Sequence, residues 1–180
     1  MSACCSNESS CAADAATPAA RTKANCPRCG QPGQHVALQT LKHQVKPAHL
    51  ETVETRSFNF CRTATCDAVY FNDSDVVLTK GDVRQRIGLK ETEDPVPICY
   101  CFGFTEAMAV EEIRATGRCT IPQRITAEVK AGNCTCEIRN PQGSCCLGNV
   151  TAAVKRALKK GMEEKSRDFT EKGSKIYAKA

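Results

Sequence analysis

The cysteines are the residues of this chain best able to do chemistry, and their spacing divides them into two sets. Cys26-Pro-Arg-Cys29-Gly and Cys61-Arg-Thr-Ala-Thr-Cys66 make the first. Two residues between Cys26 and Cys29 let both sulfurs reach one ion, and Gly30 permits the tight turn that aims backbone N–H groups at them. Cys61 and Cys66 offer a second pair, on the turn between two candidate strands. Four thiolates close a tetrahedral zinc site with no open position, which serves structure rather than catalysis. Such a site supplies folding free energy on the order of 10 kcal/mol. A redox Cys-x-x-Cys would open a helix, whereas Gly30-Gln-Pro-Gly33 after Cys29 disfavours one. His35, His43 and His49 show no ligand spacing and read as surface or packing residues.

The second set opens with Cys99-Tyr-Cys101 and continues with Cys119, Cys134, Cys136, Cys145 and Cys146, more thiols than one cluster needs. A Cys-x-Cys pair on an extended turn brings both side chains within reach of one iron. Asn140-Pro-Gln-Gly143 is a strong turn, with Pro second and Gly fourth. It returns the chain so that Cys136 faces a cysteine at the head of the last helix. Cys134 with Cys136 forms a rival Cys-x-Cys, and Cys145 competes with Cys146. An oxidised [2Fe-2S] centre on four thiolates carries a charge of about −2. Helix N-termini near Thr105 and Cys146 would stabilise it, and N–H donors to sulfur raise the potential. This arrangement describes an electron carrier. Cys119 reads as a free, buried or half-buried thiol. Cys4, Cys5 and Cys11 stand in a leader that is either a plain tail or an arm for soft metals such as Cu(I).

Bulk composition agrees with metal staples. The chain has 180 residues, 14 Cys, 6 Phe, 3 Tyr and no Trp, too few large apolar side chains for one large core. The start, Met-Ser-Ala-Cys-Cys-Ser-Asn-Glu-Ser-Ser, lacks the apolar run of a secretory signal, and no stretch approaches the roughly 18 apolar residues of a membrane span. A cytoplasmic, reducing setting without membrane insertion is the expectation. The net charge of +5 comes with cations after residue 150 that alternate with Glu163, Glu164, Asp168 and Glu171. That is a solvated helix face rather than a nucleic-acid stripe. No Ser-His-Asp grouping, phosphate loop or acid–base carboxylate pair supports hydrolytic or kinase chemistry.

The elements that must position the thiols follow from period and punctuation. Residues 1–25 read as a flexible Cys-containing leader. Residues 26–88 read as a β-rich zinc-binding domain, with strand signals at His35–Leu41, Ser57–Phe60, Ala68–Asn72 and Asp75–Thr79 and turns at Asn72-Asp73-Ser74 and Lys80-Gly81-Asp82. Pro47 argues against an unbroken helix between Lys42 and Arg56. Residues 89–97 are a charged, proline-stiffened connector. Residues 98–160 take a helical period. Thr105 caps a helix with Met108, Val110 and Ile113 on its apolar face, closed by Gly117. Pro122 starts a second helix through Ile125 and Val129 to Gly132. A third follows Cys146, with Ser144 as a candidate cap and Val150, Val154, Leu158 and Met162 on one face. Residues 161–180 are a charged helix or tail. The fold class is α+β: a small zinc-stabilised β-rich domain, then a helical, helix-turn-helix-like [2Fe-2S] domain.

Pro97-Ile-Cys-Tyr-Cys-Phe-Gly-Phe-Thr-Glu106 resembles the opening of bacterioferritin-associated ferredoxin-type [2Fe-2S] domains. Over residues 26–158 the chain resembles the N-terminal domain of archaeal CopZ copper chaperones. The shared landmarks are Cys26-Pro-x-Cys29, Cys61-x4-Cys66, Val69-Tyr-Phe-Asn72, Lys80-Gly81, Arg86-Ile-Gly-Leu-Lys-Glu91, Cys99-Tyr-Cys101 and Asn140-Pro-x-Gly-x-Cys-Cys146. The resemblance implies zinc on Cys26, Cys29, Cys61 and Cys66. It implies a [2Fe-2S] cluster on Cys99, Cys101, Cys136 and Cys146, with Cys146 preferred to Cys145 because an apolar residue, here Val150, follows the last ligand by four. Two departures stand out. Nine residues separate Cys136 from Cys146, where the ferredoxin type ends in Cys-x-x-Cys, and no Met-x-Cys-x-x-Cys copper loop follows residue 146. The expected function is electron transfer linked to copper or other soft-metal handling, with reduction of Cu(II) to Cu(I) and a redox protein as partner. The alternative is a metal chaperone or sensor whose cluster is structural or reporting. A zinc-stabilised interaction module without redox work is a third reading.

Overall fold

The computed structural model describes residues 24–177; Cys4, Cys5 and Cys11 lie outside the described residues. Four short strands, β1 (Gln34–Val36), β2 (Phe58–Phe60), β3 (Ala68–Phe71) and β4 (Val77–Thr79), form one antiparallel sheet in sequence order. Its register pairs His35 with Asn59, Phe60 with Tyr70 and Phe71 with Val77. Every residue of β2 and β3 is buried, which explains their aromatic and branched composition.

Strand β1 is shorter than the alternation at His35–Leu41 suggests. From Leu38 the chain turns into helix α1 (Leu38–Gln44), because Thr40, Leu41 and Gln44 need to share one buried face. Pro47 then opens a 3-10 turn, Pro47–His49, that leads into α2 (Leu50–Glu54). The apolar core of this half gathers Val36, Leu41, Val45, Val53, Phe58, Phe60 and Tyr70.

The second half opens on a hairpin, β5 (Pro97–Cys99) and β6 (Phe104–Thr105), which helical periodicity alone does not reveal. Its turn is made of Tyr100, Cys101, Phe102 and Gly103, with Gly103 in the left-handed region at φ 70°. Helix α3 (Glu106–Thr116) follows, capped by the Thr105 hydroxyl accepting the Met108 N–H and ended by Gly117. Ala109 and Ile113 are its buried residues, whereas Met108 is 44% exposed. The apolar face expected through Met108 is therefore rotated by one position. Pro122 lies in the first turn of α4 (Ile121–Lys130). A one-turn helix, α5 (Cys136–Arg139), precedes the long α6 (Leu147–Tyr177). The Cys146 carbonyl accepts the Val150 N–H at 3.0 Å, which puts Cys146 at the cap position. Ser144 instead accepts from Gln34 Nε2 at 3.1 Å. Val150 and Val154 are buried and Leu158 packs beside them against Ile113, Ile121 and Ile125; the Met162 side chain lies outside the described ones.

Candidate metal centres

The Cys26–Cys29 knuckle is built by its backbone. The Gly30 N–H donates to the Cys26 carbonyl at 2.8 Å, with Gly30 at φ 70°. The N–H groups of Arg28 and Cys29 point at the Cys26 sulfur, and that of Gln31 at the Cys29 sulfur. The second pair descends from the sheet. Cys61 continues β2 and its N–H donates to the Val69 carbonyl at 2.9 Å, while Cys66 sits two residues before β3 and receives the Ala68 N–H. The four sulfurs lie within 4.8 Å of one another, with Cys29–Cys61 at 3.6 Å and Cys26–Cys66 at 3.9 Å. Tetrahedral zinc–thiolate bonds of about 2.3 Å need sulfurs about 3.8 Å apart, so the donors fit that ion.

Their proton affinities are pulled in opposite directions. The Thr63 hydroxyl and backbone N–H of Gln31 hold the Cys29 thiol down to about 6, while burial pushes Cys66 up to about 12. Such spreading is what close, alike thiols do when they cannot all ionise without a cation among them.

Sequence reasoning missed Lys90. It is 6% exposed, and its ammonium donates to the carbonyls of Thr63 at 2.7 Å and Cys66 at 3.1 Å, inside the Cys61–Cys66 loop. It also stands 5.9 Å from the centre of the Phe60 ring. The signal available was the charged connector itself, but a lysine there reads as solvated until the fold buries it.

The second set is arranged as two couples that split the Cys99-Tyr-Cys101 motif, one cysteine in each, where its spacing suggests that both face one iron. The Cys101 and Cys136 sulfurs are 3.6 Å apart. The neighbouring Cys146 thiol, with N–H groups of Phe102 and Cys101, brings Cys99 down to about 6, while Cys99 and burial push Cys146 far up. Burial holds Cys136 up at about 12 despite the Cys146 N–H aimed at its sulfur. Cys99, Cys136 and Cys146 are buried and Cys101 is half-buried. Cys145 is exposed and Cys134 half-buried. Cys119 lies apart at the turn between α3 and α4, its thiol donating to Glu112 at 3.5 Å. None of the histidines joins either set: His35 meets Ser57 at 3.4 Å, His43 is exposed, and His49 faces Asp82 at 3.1 Å.

Tyr100, between Cys99 and Cys101, turns into the first half. Its hydroxyl accepts the Gly88 N–H at 2.8 Å and donates to the Arg86 carbonyl at 3.4 Å. Gly88 has no room for a side chain, since a β-carbon would lie 1.8 Å from the Pro97 carbonyl oxygen.

A family model described as a zinc binding domain, of the CopZ type, matches residues 23–84. The copper chaperone CopZ of Archaeoglobus fulgidus is 33% identical over 142 residues, covering 75% of this chain and 67% of that protein. The X-ray structure of the Archaeoglobus fulgidus CopZ N-terminal domain superimposes with a TM-score of 0.60 at 32% identity, covering 72% of this chain and 96% of that one. Among the described residues no helix is long and apolar enough to cross a membrane.

Proposed function

This chain belongs to the CopZ copper-chaperone family, and we propose that it is a two-centre metal-handling protein that transfers single electrons to copper. Cys26, Cys29, Cys61 and Cys66 hold a structural zinc ion; Cys99, Cys101, Cys136 and Cys146 hold a [2Fe-2S] cluster. The observation that carries the reading is the contrast between the two sulfur groups. The first converges within 4.8 Å on one point, as one ion requires. In the second, Cys101 and Cys136 meet at 3.6 Å and the Cys99 thiol neighbours that of Cys146, four thiols in two couples that suit the two irons of a [2Fe-2S] centre.

When bound, the cluster would accept one electron from a donor and pass it to Cu(II), giving the Cu(I) that thiolate carriers accept. The chain's own contribution is to exclude water and supply donors. Burial of Cys99, Cys136 and Cys146 lowers the local dielectric, and the N–H groups of Cys101, Phe102 and Cys146 stabilise charge on sulfur. Half-buried Cys101 marks the side on which a redox partner or a copper ion approaches most closely. Thiols in this state require a reducing compartment.

Anaerobic purification followed by metal analysis tests the assignment. The expected content is two irons, two sulfides and one zinc per chain, with red-brown colour. A folded, colourless, iron-free protein would remove the redox role. Mixing dithionite-reduced, desalted protein with Cu(II) and a Cu(I)-specific chelator tests the transfer itself. If Cu(II) persists, the cluster is a structural or reporting element.

A further inference from the structure

The loop joining Cys136 to Cys146 is anchored at its ends in the core of its own half, but most of its carbonyls are held by side chains from the zinc half. Thr40 donates its hydroxyl to the Glu137 carbonyl. Gln44, fully buried, gives both hydrogens of its amide to the carbonyls of Ile138 at 3.1 Å and Arg139 at 2.9 Å. Gln85 adds a bond to the Arg139 carbonyl at 2.9 Å and donates to the Gln44 side-chain oxygen. The buried Tyr70 hydroxyl donates to the Pro141 carbonyl at 2.7 Å, and Gln34 donates to the Gln142 carbonyl at 2.9 Å. Five side chains thus cover the carbonyls of Glu137, Ile138, Arg139, Pro141 and Gln142, while the Asn140 carbonyl and the N–H groups of residues 138–140 are taken up by the loop's own turns. A buried side-chain amide needs partners, and Gln44 finds two of its own on a loop 94 and 95 residues away.

The donors are in turn set by the first cysteines. Gln34 opens β1 just after the Cys29 turn, and Tyr70 lies on β3 four residues after Cys66. Tyr100 and Lys90 tie the Cys99–Cys101 turn to the same half through residues 86–90. Resting on the two-centre reading, we infer that Gln34, Thr40, Gln44, Tyr70 and Gln85 are positioning residues for Cys136 and Cys146, so that zinc occupancy of the first set controls how well the second set is assembled.

The test compares wild type, Gln44→Met and Tyr70→Phe, each zinc-loaded and iron-free, by iodoacetamide labelling read site by site by mass spectrometry, with Cys119 as the internal reference. Cys136 and Cys146 should alkylate about tenfold faster in Gln44→Met, equivalent to about 1.4 kcal/mol of local opening, and a few-fold faster in Tyr70→Phe, with Cys119 unchanged. Withdrawing zinc from wild type with a chelator should accelerate the same two cysteines ahead of Cys119. After iron and sulfide loading, Gln44→Met should show altered visible circular dichroism at wild-type iron content or lose iron faster. Unchanged labelling of Cys136 and Cys146 in both variants, or equal acceleration of Cys119, would overturn the inference. The cluster assignment fails by a separate result, absence of iron in anaerobic wild type, on which the labelling comparison does not depend.

Discussion

The ammonium of Lys90 donates to the carbonyl oxygen of Cys66 at 3.1 Å, so a cation from the connector closes the loop that carries half of the first thiolate set. A buried ammonium is tolerated because Thr63 supplies a second acceptor at 2.7 Å and the Phe60 ring lies beneath it.

Replacing Lys90 with Met keeps the stem and removes the donors. The two carbonyls lose a charged partner, which costs about 1–3 kcal/mol. Urea denaturation of the zinc-loaded protein should show that loss, and zinc should leave faster to a competing chelator. An unchanged midpoint would mean that water replaces the ammonium without cost.

Gly88→Ala should be among the most damaging single changes in the chain. The added carbon meets the Pro97 carbonyl oxygen at 1.8 Å, and backbone cannot yield there without breaking the Gly88–Tyr100 hydrogen bond. The expected loss is about 3 kcal/mol or more, seen as a lowered unfolding midpoint and, under the proposed two-centre assignment, as faster loss of iron. Gly148→Ala, whose β-carbon would meet nothing within 4 Å, is the control that should leave both unaffected.

Acid should uncover a contribution from Asp82. The Thr79 N–H and hydroxyl and the facing His49 hold its carboxyl below the usual range, against some desolvation. A carboxylate with a folded value below its unfolded one stabilises the fold above the unfolded value, near pH 4, and loses that contribution as pH falls through the folded value. Wild type should therefore exceed Asp82→Asn in urea midpoint at pH 6, and the gap should close below about pH 4. Because zinc also leaves in acid, the quantity to read is the difference between the two proteins at equal zinc content.

Serine substitutions should sort the thiols of the second half. Cys136→Ser and Cys146→Ser should abolish or sharply reduce iron uptake, while Cys134→Ser, Cys145→Ser and Cys119→Ser should keep the visible spectrum. The reason is placement: Cys136 meets Cys101 at 3.6 Å and Cys146 meets Cys99, whereas Cys145 is exposed and Cys119 is turned to Glu112. Loss of colour in Cys134→Ser with retention in Cys136→Ser would reassign the ligand.

What could be read from the residues in order was whatever depends on near neighbours. Cys26-x-x-Cys29-Gly, the Thr105 cap, the Gly117 stop and the Asn140–Gly143 turn are local geometry, and each stands where its residue types require. Helix α1 at Leu38–Gln44 was not legible, because its apolar stripe is only Leu41 with Thr40 and Gln44, and polar residues count as buried only once something receives their hydrogen bonds. That receiver, the carbonyls of Glu137, Ile138 and Arg139, lies about a hundred positions away. Shorter but still non-local separations hid Lys90, whose acceptors lie 27 and 24 positions away, and the choice among Cys134, Cys136, Cys145 and Cys146. Local spacing determined that thiols come in pairs; which pairs meet, and that the zinc half grips the loop between two of them, was decided by tertiary packing, since long-range hydrogen bonds to a buried backbone leave no periodic trace in the chain that makes them.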